Sequence, residues 1–226
     1  MRIDALIFDL DGTLADSIAD IGEAMNAVLA EVKLPPHSLD AYKQFVGEGA
    51  ENLARRAVRA SLGLDWKVAS DEGLPRPLPD LVESYRVEYG KLEHAHSTPY
   101  AGIDVMLDGV VASGRKMAVL SNKRDDFTKH LVKQAFGRWP FVDVRGEREG
   151  VPRKPDPTAA LELALALNVT PARIGFVGDT PIDMTTATNA GMTGLGVLWG
   201  FRTRDELVAA GAKHLLASAA ELLSLP

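Results

Sequence analysis

The chain contains no cysteine. Disulfides, thiolate zinc sites and a cysteine nucleophile are therefore excluded, which fits a reducing compartment. It also lacks any stretch of ~18 uninterrupted apolar residues, so no membrane-spanning helix is expected. No basic run stands out, and 25 Lys and Arg against 31 Asp and Glu give a net charge of −6. That balance argues against a nucleic-acid backbone as partner and serves solubility instead. The opening stretch MRIDALIFDLDG places aspartates inside what would be the apolar part of a secretory leader, so it reads poorly as one. The expectation is a soluble cytoplasmic protein, monomer or homodimer, with neither nucleic acid nor membrane as partner.

What is present is ordinary globular material: 226 residues, 46% hydrophobic and 25% charged. This suffices for one sizeable core, or for a core with a smaller inserted domain. Residues 3–8 (IDALIF) are short and mostly apolar, and read as a strand buried on both faces. From Ser17 the period changes. Ile18, Ile21, Met25, Val28, Leu29 and Val32 recur at helical spacing up to Leu34-Pro35-Pro36. Residues 39–62 are helical apart from a break at Gly47-Glu48-Gly49, 68–80 is a proline-rich loop, and 80–93 is helical again.

After Pro99 helices and apolar strands alternate. Strands are predicted at 117–121, near 142–144, and at 174–178, 193–198 and 214–218. Helices are predicted at about 102–113, 125–136, 157–167, 181–190 and 204–210, with a short one closing the chain. This predicts an α/β fold: a Rossmann-like parallel sheet covered by helices, with an inserted α-helical domain. The core is assigned to 1–15 and 96–226, and the helical insertion to 16–95.

Ligands of open α/β sheets sit at the carboxyl ends of strands. Asp9, Asp11, Gly12 and Thr13 follow the first strand. Ser121, Asn122 and Lys123 follow or end MAVLS, Lys154 lies in the loop RKPDP, and Asp179, Thr180 and Asp183 follow IGFVG. Side chains two apart on a strand point the same way, so Asp9 and Asp11 are expected to emerge together. Two carboxylates about 4 Å apart repel by ~4 kcal/mol at an effective dielectric of ~20. Either some acids are protonated or a cation sits among them. The donors are all oxygens, which favours a hard cation, and magnesium in particular if a phosphate shares its shell. Lys154 and the Ser121-Asn122 pair then offer positive charge and hydrogen bonds to phosphoryl oxygens.

Four motifs in this order resemble those of the haloacid dehalogenase-type phosphohydrolase superfamily. They are Asp9-Leu10-Asp11-Gly12-Thr13, Ser121 at a strand end, Lys154 before Pro155-Asp156-Pro157, and Gly178-Asp179-Thr180-Pro181-Ile182-Asp183. The resemblance covers essentially the whole chain. It implies a magnesium-dependent phosphatase that hydrolyses a small phosphomonoester through an aspartyl-phosphate intermediate. Asp9 is then the nucleophile and Asp11 the general acid and base. The metal ligands implied are Asp9, the Asp11 backbone carbonyl and Asp179, with Asp183 acting through water or orienting Asp179. Gly12, Thr13, Ser121, Asn122 and Lys154 are the implied phosphate contacts. An acid at position 11 points to phosphate chemistry rather than dehalogenation, and Thr13 to phosphatases rather than β-phosphoglucomutase relatives.

Within the superfamily, Val46–Ala57 and Asn122-Lys123 resemble the phosphoglycolate phosphatases, and Trp199-Gly200-Phe201 matches an aromatic-glycine-aromatic turn there. The implied substrate is 2-phosphoglycolate, with Gly47, Gly49 and Arg55 as specificity residues of the helical insertion. The alternatives are another small phosphate ester, a β-phosphoglucomutase-like phosphomutase, and a catalytically silent binding module. Simpler readings also exist. Asp179 fits a helix N-cap, Gly47 and Gly49 a plain helix break, the Trp199 neighbourhood packing, and His94 and His96 an exposed segment.

Overall fold

The computed structural model describes residues 2–225. The chain divides into two compact units. One runs through Asp16 and resumes at Thr98, and the other is Ser17–Ser97.

Among the described residues the first unit holds eight strands: β1 (Ala5–Phe8), β2 (Ala15–Asp16), β3 (Thr98–Pro99), β4 (Lys116–Arg124), β5 (Phe141–Glu147), β6 (Ile174–Gly178), β7 (Thr193–Val197) and β8 (His214–Leu216). Six form one parallel sheet in the order β5-β4-β1-β6-β7-β8. The reading of residues 3–8 as a doubly buried strand rests on alternation: Leu6 and Phe8 enter one core, Ala5 and Ile7 the other. On the first side lie Ile103, Met106, Leu107 and Val110, with Leu131, Val132 and Phe136. On the second lie Ala160, Leu163, Ala164 and Leu167, with Ala187. With both faces of β1 covered by helices, an apolar side chain is stabilised at each of its positions.

The nine helices among the described residues are α1 (Ile18–Glu31), α2 (Leu39–Phe45), α3 (Ala50–Ser61), α4 (Leu78–Leu92), α5 (Ile103–Ala112), α6 (Asp125–Phe136), α7 (Thr158–Leu167), α8 (Pro181–Asn189) and α9 (Arg204–Ala209). α5–α9 belong to the sheet unit. The last predicted helix is a 3-10 turn, Ala219–Ser224. β4 extends beyond its predicted end, through Arg124, because Arg124 pairs with Glu147 of β5 after a register shift. The two-residue β2 and β3 form an antiparallel ribbon that period-based reading does not detect, being no longer than a single repeat of alternation.

The unit Ser17–Ser97 is built from α1–α4. Ile21, Met25, Val28 and Leu29 of α1 and Leu81, Val82, Tyr85 and Tyr89 of α4 are buried, as the helical spacing demands. The Asn26 amide ties the following loop down: Nδ2 donates to the His37 carbonyl at 3.0 Å, and Oδ1 accepts from His37 N–H at 2.9 Å and the Tyr42 hydroxyl at 2.6 Å. α4 starts at Leu78, earlier than predicted, because Pro79 occupies its first turn, where a missing N–H costs nothing. His94, expected to be exposed, is buried against the Tyr89 hydroxyl at 3.2 Å, while His96 is exposed and faces Glu23 at 3.3 Å.

Candidate active site

β1 is flanked by β4 and β6, with Phe8 opposite both Val119 and Val177. The carboxyl ends of three adjacent strands therefore converge. Asp9 continues the ladder, its N–H donating to the Val177 carbonyl at 2.9 Å. The chain then turns tightly, and the Leu10 carbonyl accepts from Leu14 N–H at 3.0 Å and Ala15 N–H at 2.9 Å. Gly12 makes the turn possible. Its φ is +87°, and a Cβ there would lie 2.3 Å from Asp179 Oδ2.

Lys154 is the hub. Its buried ammonium donates to Asp9 Oδ1 at 2.8 Å and Asp183 Oδ1 at 2.7 Å. Its backbone is held from β4: Lys154 N–H donates to Asn122 Oδ1 at 2.9 Å, and Asn122 Nδ2 donates to the Lys154 carbonyl at 3.1 Å. Asp183 Oδ2 accepts from Thr180 N–H at 3.0 Å and Thr180 Oγ1 at 2.7 Å. Thr180, not Asp179, is the N-cap residue of α8. Asp179 Oδ1 accepts from the Thr13 hydroxyl at 3.1 Å, and Oδ2 from Phe201 N–H at 2.8 Å.

The acids that crowd one another are Asp9, Asp179 and Asp183, whose nearest carboxylate oxygens lie within 4.8 Å of one another. The Asp11 carboxylate, two residues beyond Asp9, pairs with the Lys123 ammonium at 2.6 Å.

Three of the expected phosphate contacts also find other partners. Gly12 N–H donates to the Ala15 carbonyl at 2.9 Å, the Thr13 hydroxyl goes to Asp179, and both polar atoms of the Asn122 amide hold the Lys154 backbone. In each case a nearby buried or turn group needs the hydrogen bond, and leaving it unmade costs more than a solvent-facing contact returns. Ser121, buried at the end of β4, accepts from Lys123 N–H at 3.1 Å, which leaves its own O–H able to donate. Gly47 and Gly49, both at positive φ, form the break between α2 and α3. Arg55 is engaged within the helical unit, donating to Asp71 at 2.6 Å and Asn52 at 2.7 Å.

Electrostatics decides what the acid cluster can hold. If all were ionised, three carboxylates against one ammonium would leave two uncompensated buried charges. Burial pushes the Asp9 carboxyl well above its usual range, Asp183 and Asp179 add to the rise, and Lys154 opposes it. Burial, then Asp183, pushes Asp179 up to about 7, against the pull of Phe201 N–H, the Thr13 hydroxyl and Arg202. Burial alone would lower the Lys154 ammonium, but Asp183 and Asp9 outweigh it and raise it above the ordinary lysine range. A divalent cation matches the missing charge, and an all-oxygen donor set suits a hard one. Asp9, Asp179 and Asp183 are the candidate ligands; Asp183 is the most heavily hydrogen-bonded of the three, with Lys154 on Oδ1 and the Thr180 N–H and hydroxyl on Oδ2.

The metal-free protein should therefore lose stability as pH rises. An unfolded aspartate titrates near ~4. Between there and about 7 the folded state keeps a proton on Asp179 that the unfolded chain has lost. Stability falls across that window, by an upper bound of about 4 kcal/mol from this group. The thermal midpoint without divalent ions is expected to drop from pH 5 to pH 7.5, and less so in D179N. A divalent ion should reverse the drop, most at the higher pH, where protons no longer compete. A midpoint independent of pH and metal would contradict the cluster's electrostatics.

With this geometry in place, the comparisons with known proteins are direct. A family model for haloacid dehalogenase-like hydrolases matches residues 6–197. The chain belongs to this family. It is 31% identical to a phosphoglycolate phosphatase of Psychrobacter arcticus over 89% of this chain and 86% of that protein. It is 32% identical to a phosphoglycolate phosphatase of Rhodospirillum rubrum over 92% and 84% respectively. A crystal structure from Lactobacillus delbrueckii subsp. bulgaricus, provisionally named a phosphoglycolate phosphatase, superposes with a TM-score of 0.88 at 28% identity, covering 99% of this chain and 98% of that one.

For this haloacid dehalogenase-like hydrolase, sequence reasoning missed that Asn122 holds the Lys154 backbone and that Lys123 pairs with Asp11. It matched Trp199-Gly200-Phe201 to a family turn and read the Trp199 neighbourhood as packing, without foreseeing that Phe201 N–H binds an acid of the cluster.

Proposed function

We propose that the chain is a magnesium-dependent phosphatase of the cytoplasm that hydrolyses a small phosphomonoester, with 2-phosphoglycolate as substrate, through a phosphoryl group carried on Asp9. That it is a phosphoric monoester hydrolase follows from its family and from its phosphoglycolate phosphatase relatives. The observation that carries the mechanistic reading is the Lys154 ammonium lodged between Asp9 and Asp183 at the sheet edge.

Asp9 Oδ1 is held by Lys154, so its other oxygen is the one aimed at phosphorus. Attack breaks the ester bond and leaves an acyl phosphate on Asp9. Asp11 supplies the proton to the departing alkoxide, then takes one from the water that cleaves the acyl phosphate. Its pairing with Lys123 orients the carboxyl toward that task and must loosen as the proton is taken up. Lys154 and Ser121 hold the transferring phosphoryl oxygens, and Lys154 offsets the charge of Asp9. Asp9, Asp179 and the Asp11 backbone carbonyl are assigned to magnesium, which supplies charge neutralisation at the phosphoryl group. Asp183 acts one step back, fixing Lys154 and the start of α8. The helical unit Ser17–Ser97 is assigned the part of a cap that selects substrate, with the Gly47–Gly49 break as its selecting loop.

The test is hydrolysis of p-nitrophenyl phosphate with Mg2+ and with chelator, followed by a panel of small phosphate esters ranked by kcat/KM. Turnover is expected only with the metal, and 2-phosphoglycolate is expected to rank first. A different leader would reject the substrate and keep the reaction class. Isomerised sugar phosphate, in place of free phosphate, would indicate a mutase.

A further inference from the structure

The segment after β7 has no part in the scheme above, yet it surrounds one of the acids. Phe201 N–H donates to Asp179 Oδ2 at 2.8 Å. Trp199 Nε1 donates to the Thr13 carbonyl at 3.0 Å, and the Thr13 hydroxyl donates to Asp179 Oδ1 at 3.1 Å. Each carboxylate oxygen of Asp179 thus has one donor. One donor belongs to the turn and the other to a residue that the turn holds. An oxygen accepting a single hydrogen bond keeps a lone pair for a cation.

Gly200 sits where the packing is tightest. A Cβ there would lie 2.3 Å from Asp179 Cβ, 2.6 Å from Asp179 Oδ2 and 2.4 Å from the Gly12 carbonyl oxygen. Such approaches do not occur between real atoms, and the backbone of Gly12 offers no flexible end to swing aside. Any side chain at position 200 must displace Asp179 or the turn after β1.

We propose that Trp199-Gly200-Phe201 is a positioning element for the metal site, fixing the Asp179 carboxylate in the one orientation from which it can ligate the ion. This rests on the reading of Asp179 as a metal ligand. The physical reason is preorganisation. A carboxylate free to rotate must lose that freedom when the ion binds, and partners just outside a metal's ligands typically change its affinity by about 10–100-fold.

The experiment measures the Mg2+ dissociation constant of the substrate-free protein by calorimetry for the unsubstituted chain, G200A and W199F. W199F removes one N–H while keeping an aromatic ring. G200A is expected to raise the constant by about tenfold or more, and W199F by at least about threefold. At saturating Mg2+, kcat of both variants should return to within about twofold of the unsubstituted enzyme, a rescue that a purely structural lesion does not show. Should G200A fail to fold, W199F decides alone on the same readouts. Unchanged dissociation constants, or a kcat that stays low at saturating Mg2+, would overturn the positioning role. No Mg2+ binding by the unsubstituted chain would instead overturn the Asp179 reading, and this inference with it.

Discussion

Replacing Asp9 with asparagine is expected to lower kcat by at least about 10⁴-fold while the chain stays folded. Asparagine matches aspartate in shape, but its amide does not attack phosphorus to give a hydrolysable acyl phosphate. Folding should not suffer, for an electrostatic reason. Asp9 is buried beside Asp183 and Asp179, and its ionised form is disfavoured there. The substitution removes one of the crowded negative charges, and its amide oxygen still accepts from Lys154, which stands 2.8 Å from Asp9 Oδ1. The metal-free thermal midpoint of D9N should equal or exceed that of the unsubstituted protein. A burst of leaving group would also vanish in D9N, because no covalent species can form. Activity within tenfold of the original would end the assignment of Asp9 as nucleophile.

The second large effect is expected at Lys154. K154M removes the ammonium between two buried carboxylates and leaves both uncompensated. Breaking a buried ion pair from one side costs about 3–5 kcal/mol. For a chain of this size that is a fall in thermal midpoint of roughly 10 °C in the metal-free state. The loss should shrink in K154M/D183N, where the orphaned acid is also removed, and it should shrink on adding Mg2+. Activity should fall by about 10²–10³-fold, the usual scale for deleting a charge aimed at a developing anion. K154R should not restore it. A planar guanidinium carries a broader fork than the ammonium that now fits between Asp9 Oδ1 and Asp183 Oδ1 at 2.8 and 2.7 Å. A K154M protein as stable as the original at pH 7 without metal would contradict the hub geometry.

The elements of the sheet unit were legible because their signals are local. The stretch ALIF is apolar at every position, and both faces of β1 are indeed buried. α6 spans Asp125–Phe136 and β6 spans Ile174–Gly178, the bounds that periodicity predicted. The least legible element was the ribbon of β2 and β3, whose partners lie some eighty residues apart and are two residues long. A pairing that distant leaves no trace in either segment alone. α4 was placed late because its proline-rich start reads as loop, although Pro79 is tolerated in a first helical turn.

The residue types of the site, and their arrival at one sheet edge, were also readable, since strand ends and parallel order fix where acids, lysine and hydroxyls gather. Their partners were not. Asp11 turned to Lys123, Thr13 to Asp179, and Asn122 to the backbone of Lys154. Each choice depends on distances of about 3 Å between segments as much as 166 residues apart.

By itself, then, the sequence determined the parallel sheet, the helical insertion and the acidic, cysteine-free chemistry, because hydrophobic period and donor type are properties of short segments. Only the tertiary structure decided which acids crowd one another, which lysine lies between them and which backbone N–H bonds Asp179. Electrostatic and hydrogen-bond energies depend on separation and burial, and those exist only once the chain has closed on itself.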